Sequence, residues 1–145
     1  MSYAAMNSGI DQYQQVGAYS GAAYADPHRL IEMLLDGGID RIAQAKGALQ
    51  QGDRGTKSQL IGKAIAIVDG LRGGLDQETG GELAANLDNL YDYMQRRLVS
   101  ANAQNDEAML DEVSDLLKQI REAWQAIPKE LRDKEAAKRA AANEG

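Results

Sequence analysis

The sequence predicts an all-α protein, an antiparallel up-down four-helix bundle with a short N-terminal helical arm. Between Asp26 and Ile127, apolar residues recur at helical spacing in four successive segments, each followed by a short polar or glycine-rich break. Such short connections make consecutive helices antiparallel neighbours. Four amphipathic segments on one chain can bury their apolar stripes by packing against one another.

The first two helices are predicted from their start signals and their apolar residues. Asp26 and Pro27 are typical of a helix start, an N-cap acceptor followed by proline at the first helical position. This helix ends near Gly52. The second helix is predicted from about Thr56 to Leu75, and its apolar side chains form two adjacent rows, Leu60, Ala64, Ile67 and Leu71, then Ile61, Ile65, Val68 and Leu75.

Capping signals also delimit the third and fourth helices. Thr79 and Glu82 have the spacing of a capping box, which predicts a third helix from there to about Ala103. The fourth helix follows a predicted cap at Asn105. Pro128 ends it, because proline cannot continue a helix.

Three regions follow from this pattern. Residues 1–25 are small, polar and glycine-containing but include Ile10, Tyr13 and Val16 at helical spacing, which predicts an apolar-anchored arm followed by a linker. Residues 26–127 form the bundle. Residues 128–145 are charged and alanine-rich with one large apolar residue, Leu131, and are expected to form a flexible tail.

Composition excludes several classes of function. The 145 residues include 22 acidic and 16 basic side chains, a net charge of −6, and no basic stripe, which argues against nucleic-acid binding. The absence of cysteine removes disulfides, thiolate catalysis and Cys-ligated metals. No secretory signal is visible, and no apolar run approaches the roughly 20 residues that span a bilayer. We therefore expect a cytoplasmic protein without membrane insertion.

The chemistry-bearing residues indicate no enzyme, metal site or cofactor. The segment Gly52–Ser58 fails as a phosphate loop because Thr56 separates Gly55 from Lys57. One histidine cannot supply the paired Glu-x-x-His motifs of di-metal bundles. A phosphotransfer domain depending on His28 stays open as an alternative, although His28 lies in the first turn of its helix and not in the middle.

Apolar residues exceed what a bundle helix needs on helices two and three. Deep burial or a homodimer interface would explain the excess. The other explanation is a long apolar groove that receives an amphipathic helix from a partner, part of which the arm covers when no partner is bound.

Several motifs in a fixed order resemble the FliS family, the flagellar secretion chaperones for flagellin. They cover roughly residues 8–127 and are Gly9-Ile10-x-x-Tyr13-x-Gln15-Val16, Pro27-x-x-Leu30-Ile31-x-Met33-Leu34-Leu35-Asp36-Gly37, Lys63-Ala64-x-x-Ile67-x-x-x-Leu71, Leu87-x-x-Leu90-Tyr91-x-Tyr93-Met94-x-x-Arg97-Leu98-x-x-Ala101-Asn102, Glu112-Val113 and Trp124. Leu35 departs from the family, which usually has an aromatic residue there.

The resemblance implies a non-enzymatic export chaperone that binds the disordered C-terminal segment of flagellin in the cytoplasm, and that prevents premature polymerisation. It also implies that the arm contributes to the site. The predicted partner-binding residues are Ile10, Tyr13, Ile67, Leu71, Leu87, Leu90 and Tyr91. A regulatory adaptor for an assembly factor or a sigma-factor antagonist is the alternative, and a contact with the flagellar export apparatus is left open.

Overall fold

A computed structural model describes residues 26–127, and all four helices of this part of the chain were predicted. They are α1 (Pro27–Gln50), α2 (Arg54–Gly73), α3 (Gln77–Gln104) and α4 (Glu107–Gln125). The predicted arm, with Ile10 and Tyr13, and the predicted tail lie outside the described residues.

An aspartate caps the N-terminus of every one of these helices. The carboxylates of Asp26, Asp53, Asp76 and Asp106 accept backbone N–H groups of the first turn, at 3.0–3.2 Å. The start of α1 was predicted correctly. The other three starts were predicted one to three residues away from the observed ones, at Thr56, Thr79 and Asn105. In each case a nearby Asp supplies the carboxylate, which is among the strongest N-cap acceptors.

At two of these positions, the residue that was predicted to cap a helix has a different role. Asn105 is the left-handed C-cap of α3 (φ 52°, ψ 46°), so it ends one helix and does not begin the next. Thr79 lies inside the first turn of α3 and donates its N–H to Asp76, so it is not the N-cap. Two residues further on, the chain leaves helical geometry at Gly81 (φ 52°, ψ −127°).

The helices form a closed cycle of antiparallel neighbours. The start of α2 meets the end of α3, where Lys57 donates to the Asn102 carbonyl, and the end of α2 meets the first half of α3, where Arg72 binds Asp88. At opposite ends of the α1–α4 contact, Gln50 binds Glu107 and Gln125 binds Glu32. These pairs confirm the up-down-up-down bundle.

The core lies on the bundle axis. Side chains from all four helices that are essentially inaccessible to solvent fill it: Leu35, Ile42, Ile61, Val68, Met94, Leu98, Leu110, Val113 and Leu117. Leu35, which stands where the resembling family usually has an aromatic residue, is therefore a packing residue. Gly38 lets α1 approach its neighbours closely, because a Cβ there would lie 3.3 Å from Leu117 Cδ1 and 3.5 Å from Ile67 Cγ2.

Candidate partner-binding surface

The apolar excess of α2 is buried in the bundle. Ile61, Ala64, Ile65, Ile67, Val68 and Leu71 are all less than a tenth exposed. Ile67 and Leu71, both predicted to bind a partner, are 4% and 2% exposed. In this conformation α2 presents no open apolar row, and a contact between these two residues and a partner stays a prediction.

The predicted residues of α3 fall into two groups. Tyr91 is 3% exposed, and burial raises the pKa of its hydroxyl to about 12. Its ring is part of the core. Leu87 and Leu90 pack against the core from its margin and are only partly buried.

Leu83 extends the row of Leu87 and Leu90 into solvent. The three are spaced four and three residues apart, which places them on one face of a helix. Leu83 is 68% exposed, an unusual position for a large apolar side chain that lies on the same face as core residues. Leu83 was not among the predicted binding residues, although its spacing of four from Leu87 is the signal that would have identified it.

On α4, Leu116 and Ile120 complete this surface. Both are partly buried against the core, and both follow Glu112 at intervals of four residues. Glu112 faces α3, because its carboxylate accepts hydrogen bonds from the Tyr93 hydroxyl at 2.8 Å and from Arg97 Nε at 2.7 Å. Because α3 and α4 are antiparallel, Leu116 and Ile120 lie toward the same end of the bundle as Leu83 and Leu87. We call these five residues, Leu83, Leu87, Leu90, Leu116 and Ile120, the α3–α4 seam.

Polar bridges run along the α1–α4 and α2–α3 contacts. Along α1 and α4, Lys46 pairs with Asp111 at 2.8 Å and Arg121 with Asp36 at 3.2 Å. Between α2 and α3, Arg72 binds Asp88 through two nitrogen–oxygen contacts and also reaches Gln95 at 2.9 Å. Between α3 and α4, the bridges recorded within residues 26–127 converge on Glu112 alone. The half of this contact that holds the α3–α4 seam is apolar.

Glu112, Tyr93 and Arg97 form a hydrogen-bonded cluster, which we call the Glu112 cluster. Hydrogen bonds from Tyr93 and from Arg97 lower the pKa of the Glu112 carboxyl, and the bond to Glu112 raises the pKa of the Tyr93 hydroxyl. The Arg97 guanidinium also lies 5.9 Å from the centre of the Tyr93 ring, within the range of a cation–π contact. This cluster pins α3 to α4 at one end of the seam.

The described residues hold no group of three or more His, Asp or Glu side chains arranged to bind a metal ion. None of the helices between Pro27 and Gln125 is long and apolar enough to cross a membrane. His28 stacks on Trp124 with ring centroids 4.5 Å apart, at the end of the bundle.

Comparison with known proteins agrees with the motifs. The family model described as flagellar protein FliS matches residues 9–131. The chain is 53% identical to flagellar secretion chaperone FliSB of Pseudomonas aeruginosa, over 81% of this chain and 94% of that protein. It is 51% identical to flagellar secretion chaperone FliS of Salmonella typhimurium (83% and 90%) and 40% identical to FliS of Vibrio cholerae (91% and 97%). This family is one of chaperones and not of enzymes, and the chain belongs to the FliS family of flagellar proteins.

Proposed function

We propose that this protein is a cytoplasmic flagellar secretion chaperone, and that its client is the C-terminal segment of flagellin. The observation that carries the first part is the match to flagellar secretion chaperones over most of both chains. The second part is supported by the α3–α4 seam, an apolar strip that reaches the exposed Leu83 and that, within the described residues, carries no polar bridge beyond Glu112.

The physical basis is competition for an apolar stripe. A flagellin terminus is an unpaired amphipathic segment whose apolar face becomes buried in the filament. A chaperone that offers an equivalent apolar face prevents self-association until export. Because the segment orders as it binds, about 2–5 kcal/mol or more of the contact energy offsets the lost entropy. An extended surface therefore suits this client better than a small pocket.

The proposed site assigns different roles to the predicted residues. Leu87 and Leu90 contact the client directly, and Ile10 and Tyr13 of the arm contribute when the client binds. Ile67, Leu71 and Tyr91 lie in the core and stabilise the bundle that carries this surface. A client could reach them only if the bundle opened.

Titration with a flagellin C-terminal peptide tests the proposal. We expect a stable complex and a gain in helical circular dichroism beyond the sum of the two components. Replacing Leu87 and Leu90 together with Ala should weaken binding at least about tenfold, because burying one Leu side chain is worth about 1.5–3 kcal/mol. If wild-type protein forms no complex and gains no helix, the client assignment is wrong.

Val99→Ala is the matched control. Val99 is also an exposed apolar residue of α3, 57% accessible, but it lies between Gln95 and Asn102, whose side chains bond to α2. Its loss should change peptide affinity less than about twofold. An equal loss in both variants would show that the peptide binds exposed apolar side chains without preference for the seam.

The arm is tested separately. Ile10→Ala combined with Tyr13→Ala is expected to change client affinity more than melting temperature. Parallel losses in affinity and in melting temperature would mean that the arm has a structural role alone.

A further inference from the structure

The first turn of α3 is set apart from the rest of that helix. Residues 77–80 form a turn capped by Asp76, and the Gly80 N–H donates to the Asp76 carbonyl at 2.8 Å. Gly81 then takes φ 52° and ψ −127°, a backbone conformation that residues other than glycine rarely adopt. The bend brings Gly80 so close to Ala84 that a Cβ on Gly80 would lie 2.7 Å from the Ala84 Cβ.

Chain length explains why the bend is needed when Asp76 is the cap. Two contacts fix the alignment of α2 and α3 along the bundle axis: Lys57 with Asn102, and Gln95 with the Ile65 carbonyl. They place Gly73, the end of α2, at the same height along this axis as about residue 87 of α3. A straight α3 would place Gln77 about 15 Å beyond that level and about 9 Å to the side, roughly 17 Å from Gly73. The four peptide units between Gly73 and Gln77 span at most about 14 Å. A straight helix that starts at Gln77 therefore cannot connect to α2.

A straight helix that starts later can connect. If Thr79 were the N-cap, Gly80 would lie about 14 Å from Gly73, and seven peptide units reach about 23 Å. Thr79 and Glu82 have the spacing of a capping box, so this second start has its own cap. The sequence thus contains two competing starts for α3, and the structure shows the one at Asp76.

We propose that the start of α3 is a two-state element: a bent register capped by Asp76, with its break at Gly81, and a straight register capped by Thr79. In the bent register Ala84 is 4% exposed beneath the folded turn. The straight register uncovers Ala84 beside Leu83 and Leu87, and so widens the apolar surface at that end of the α3–α4 seam. Resting on the proposed function, we further infer that bound client favours the straight register, because that register offers the larger apolar surface.

Two substitutions shift the two registers in opposite directions. Gly81→Ala penalises the positive φ of the bent register, and we expect it to favour the straight register by about fivefold to thirtyfold. Thr79→Val removes the hydroxyl that caps the straight register, and should favour the bent one. Gly62→Ala is the control, since Gly62 lies inside α2 and a Cβ at this position would have nothing within 4 Å.

Amide hydrogen exchange on the full chain reads the register without any client. In Gly81→Ala, the Gly80 amide should exchange faster and the amides of residues 82–84 more slowly than in wild type. Thr79→Val should show the reverse pattern, and Gly62→Ala should show neither. If the Gly80 amide of Gly81→Ala stays as protected as in wild type while the melting temperature falls, the turn is merely strained and the two-register proposal is wrong.

Peptide affinity then tests the coupling to the client. With a flagellin C-terminal peptide as probe, Gly81→Ala should bind more tightly and Thr79→Val more weakly than wild type. Unchanged affinity in both variants, with the exchange pattern shifted as expected, would overturn the coupling alone. If wild-type protein does not bind the peptide, the proposed client is wrong, while the exchange data still decide whether two registers exist.

Discussion

Lys57 shows how one buried charge can tie two helices together. Its side chain is 3% exposed, and its ammonium donates to the Asn102 carbonyl and to the Asn105 side chain. Both acceptors belong to the end of α3, where backbone carbonyls have no partner inside the helix. A cation is also favoured at this end of the helix dipole. The first turn of α2 therefore completes the end of α3.

Removing this ammonium should cost measurable stability. Lys57→Met keeps the length of the side chain but leaves both acceptors without their donor, and we expect a loss of about 1.5–3 kcal/mol in the free energy of unfolding. Urea denaturation measures it. Lys63→Met, on the exposed side of the same helix, should change stability by less than about 0.5 kcal/mol. Equal effects in the two variants would contradict a specific role for Lys57.

Glu112 predicts a pH dependence. Its pKa in the folded protein lies below its usual value of 4.5, because Tyr93 and Arg97 donate hydrogen bonds to the ionised carboxylate. The depressed pKa means that this stabilisation is fully present above the unfolded-state pKa. It is lost as the pH falls from about 4.5 through the lower folded-state value.

Glu112→Gln should therefore flatten the acid limb of the stability curve. Between about pH 6 and about pH 3, the melting temperature of the variant should fall less than that of wild type. Glu122→Gln, an exposed position on the same helix, is the control and should follow wild type. A variant curve parallel to the wild-type curve would mean that Glu112 does not contribute to acid denaturation.

At the scale of the helix, two glycines that look alike in sequence have different surroundings. Gly38 and Gly62 both lie inside helices, where Gly costs about 0.8–1.0 kcal/mol relative to Ala. Around Gly62 there is open space, whereas a methyl group at Gly38 would press on Leu117 at 3.3 Å. The value of each glycine depends on the neighbouring helices and not on its own segment.

Alanine at these two positions should separate propensity from packing. Gly62→Ala is expected to raise the free energy of unfolding by about 0.5–1 kcal/mol. Gly38→Ala should gain less or lose stability, since crowding in a packed core offsets the propensity gain. Thermal or urea unfolding of both variants measures the difference. A larger gain at Gly38 than at Gly62 would show that α1 can move away from its neighbours at little cost.

Some helix starts are specified by the local sequence, whereas others have two possible cap residues that compete. Asp26-Pro27 is an unambiguous start and was predicted to the residue. Thr79-Glu82 is an equally good signal, yet Asp76 caps α3, and only the short connection from Gly73 requires the bend that follows at Gly81. The sequence analysis identified only the start at Thr79. The sequence could not show that Asp76 caps α3 instead, because the choice depends on where α2 ends in space.

For the whole molecule, the question is which apolar residues hold the bundle together and which are available to a partner. Leu71 and Leu87 both belong to the predicted site, but Leu71 is 2% exposed and Leu87 lies at the margin of the core. A buried Leu replaced by Ala loses its transfer energy and leaves a cavity. Replacing a Leu at the margin of the core with Ala leaves a gap that water can fill.

This contrast predicts opposite rankings for stability and for binding. Leu71→Ala should lower the free energy of unfolding by about 2–5 kcal/mol, and Leu87→Ala by clearly less. Leu87→Ala should nevertheless reduce affinity for the flagellin peptide more than Leu71→Ala does, measured under conditions in which both variants are fully folded. If Leu71→Ala weakens binding more at full folding, the client reaches the core and the bundle opens on binding.

The four helices, their order, their antiparallel arrangement and the family could all be predicted from the sequence, because apolar periodicity, short connections and ordered motifs are properties of the chain read in one dimension. The packing of the helices was needed to show that both apolar rows of α2 are interior except for Leu60 and Leu75, which are partly buried. It also showed that Tyr91 is a core residue, and that the open apolar strip runs through Leu83, Leu87 and Leu90 beside α4. This is because the burial of a residue depends on which residues of the other helices pack around it. Two leucines with the same helical spacing differ only in what the other helices place against them.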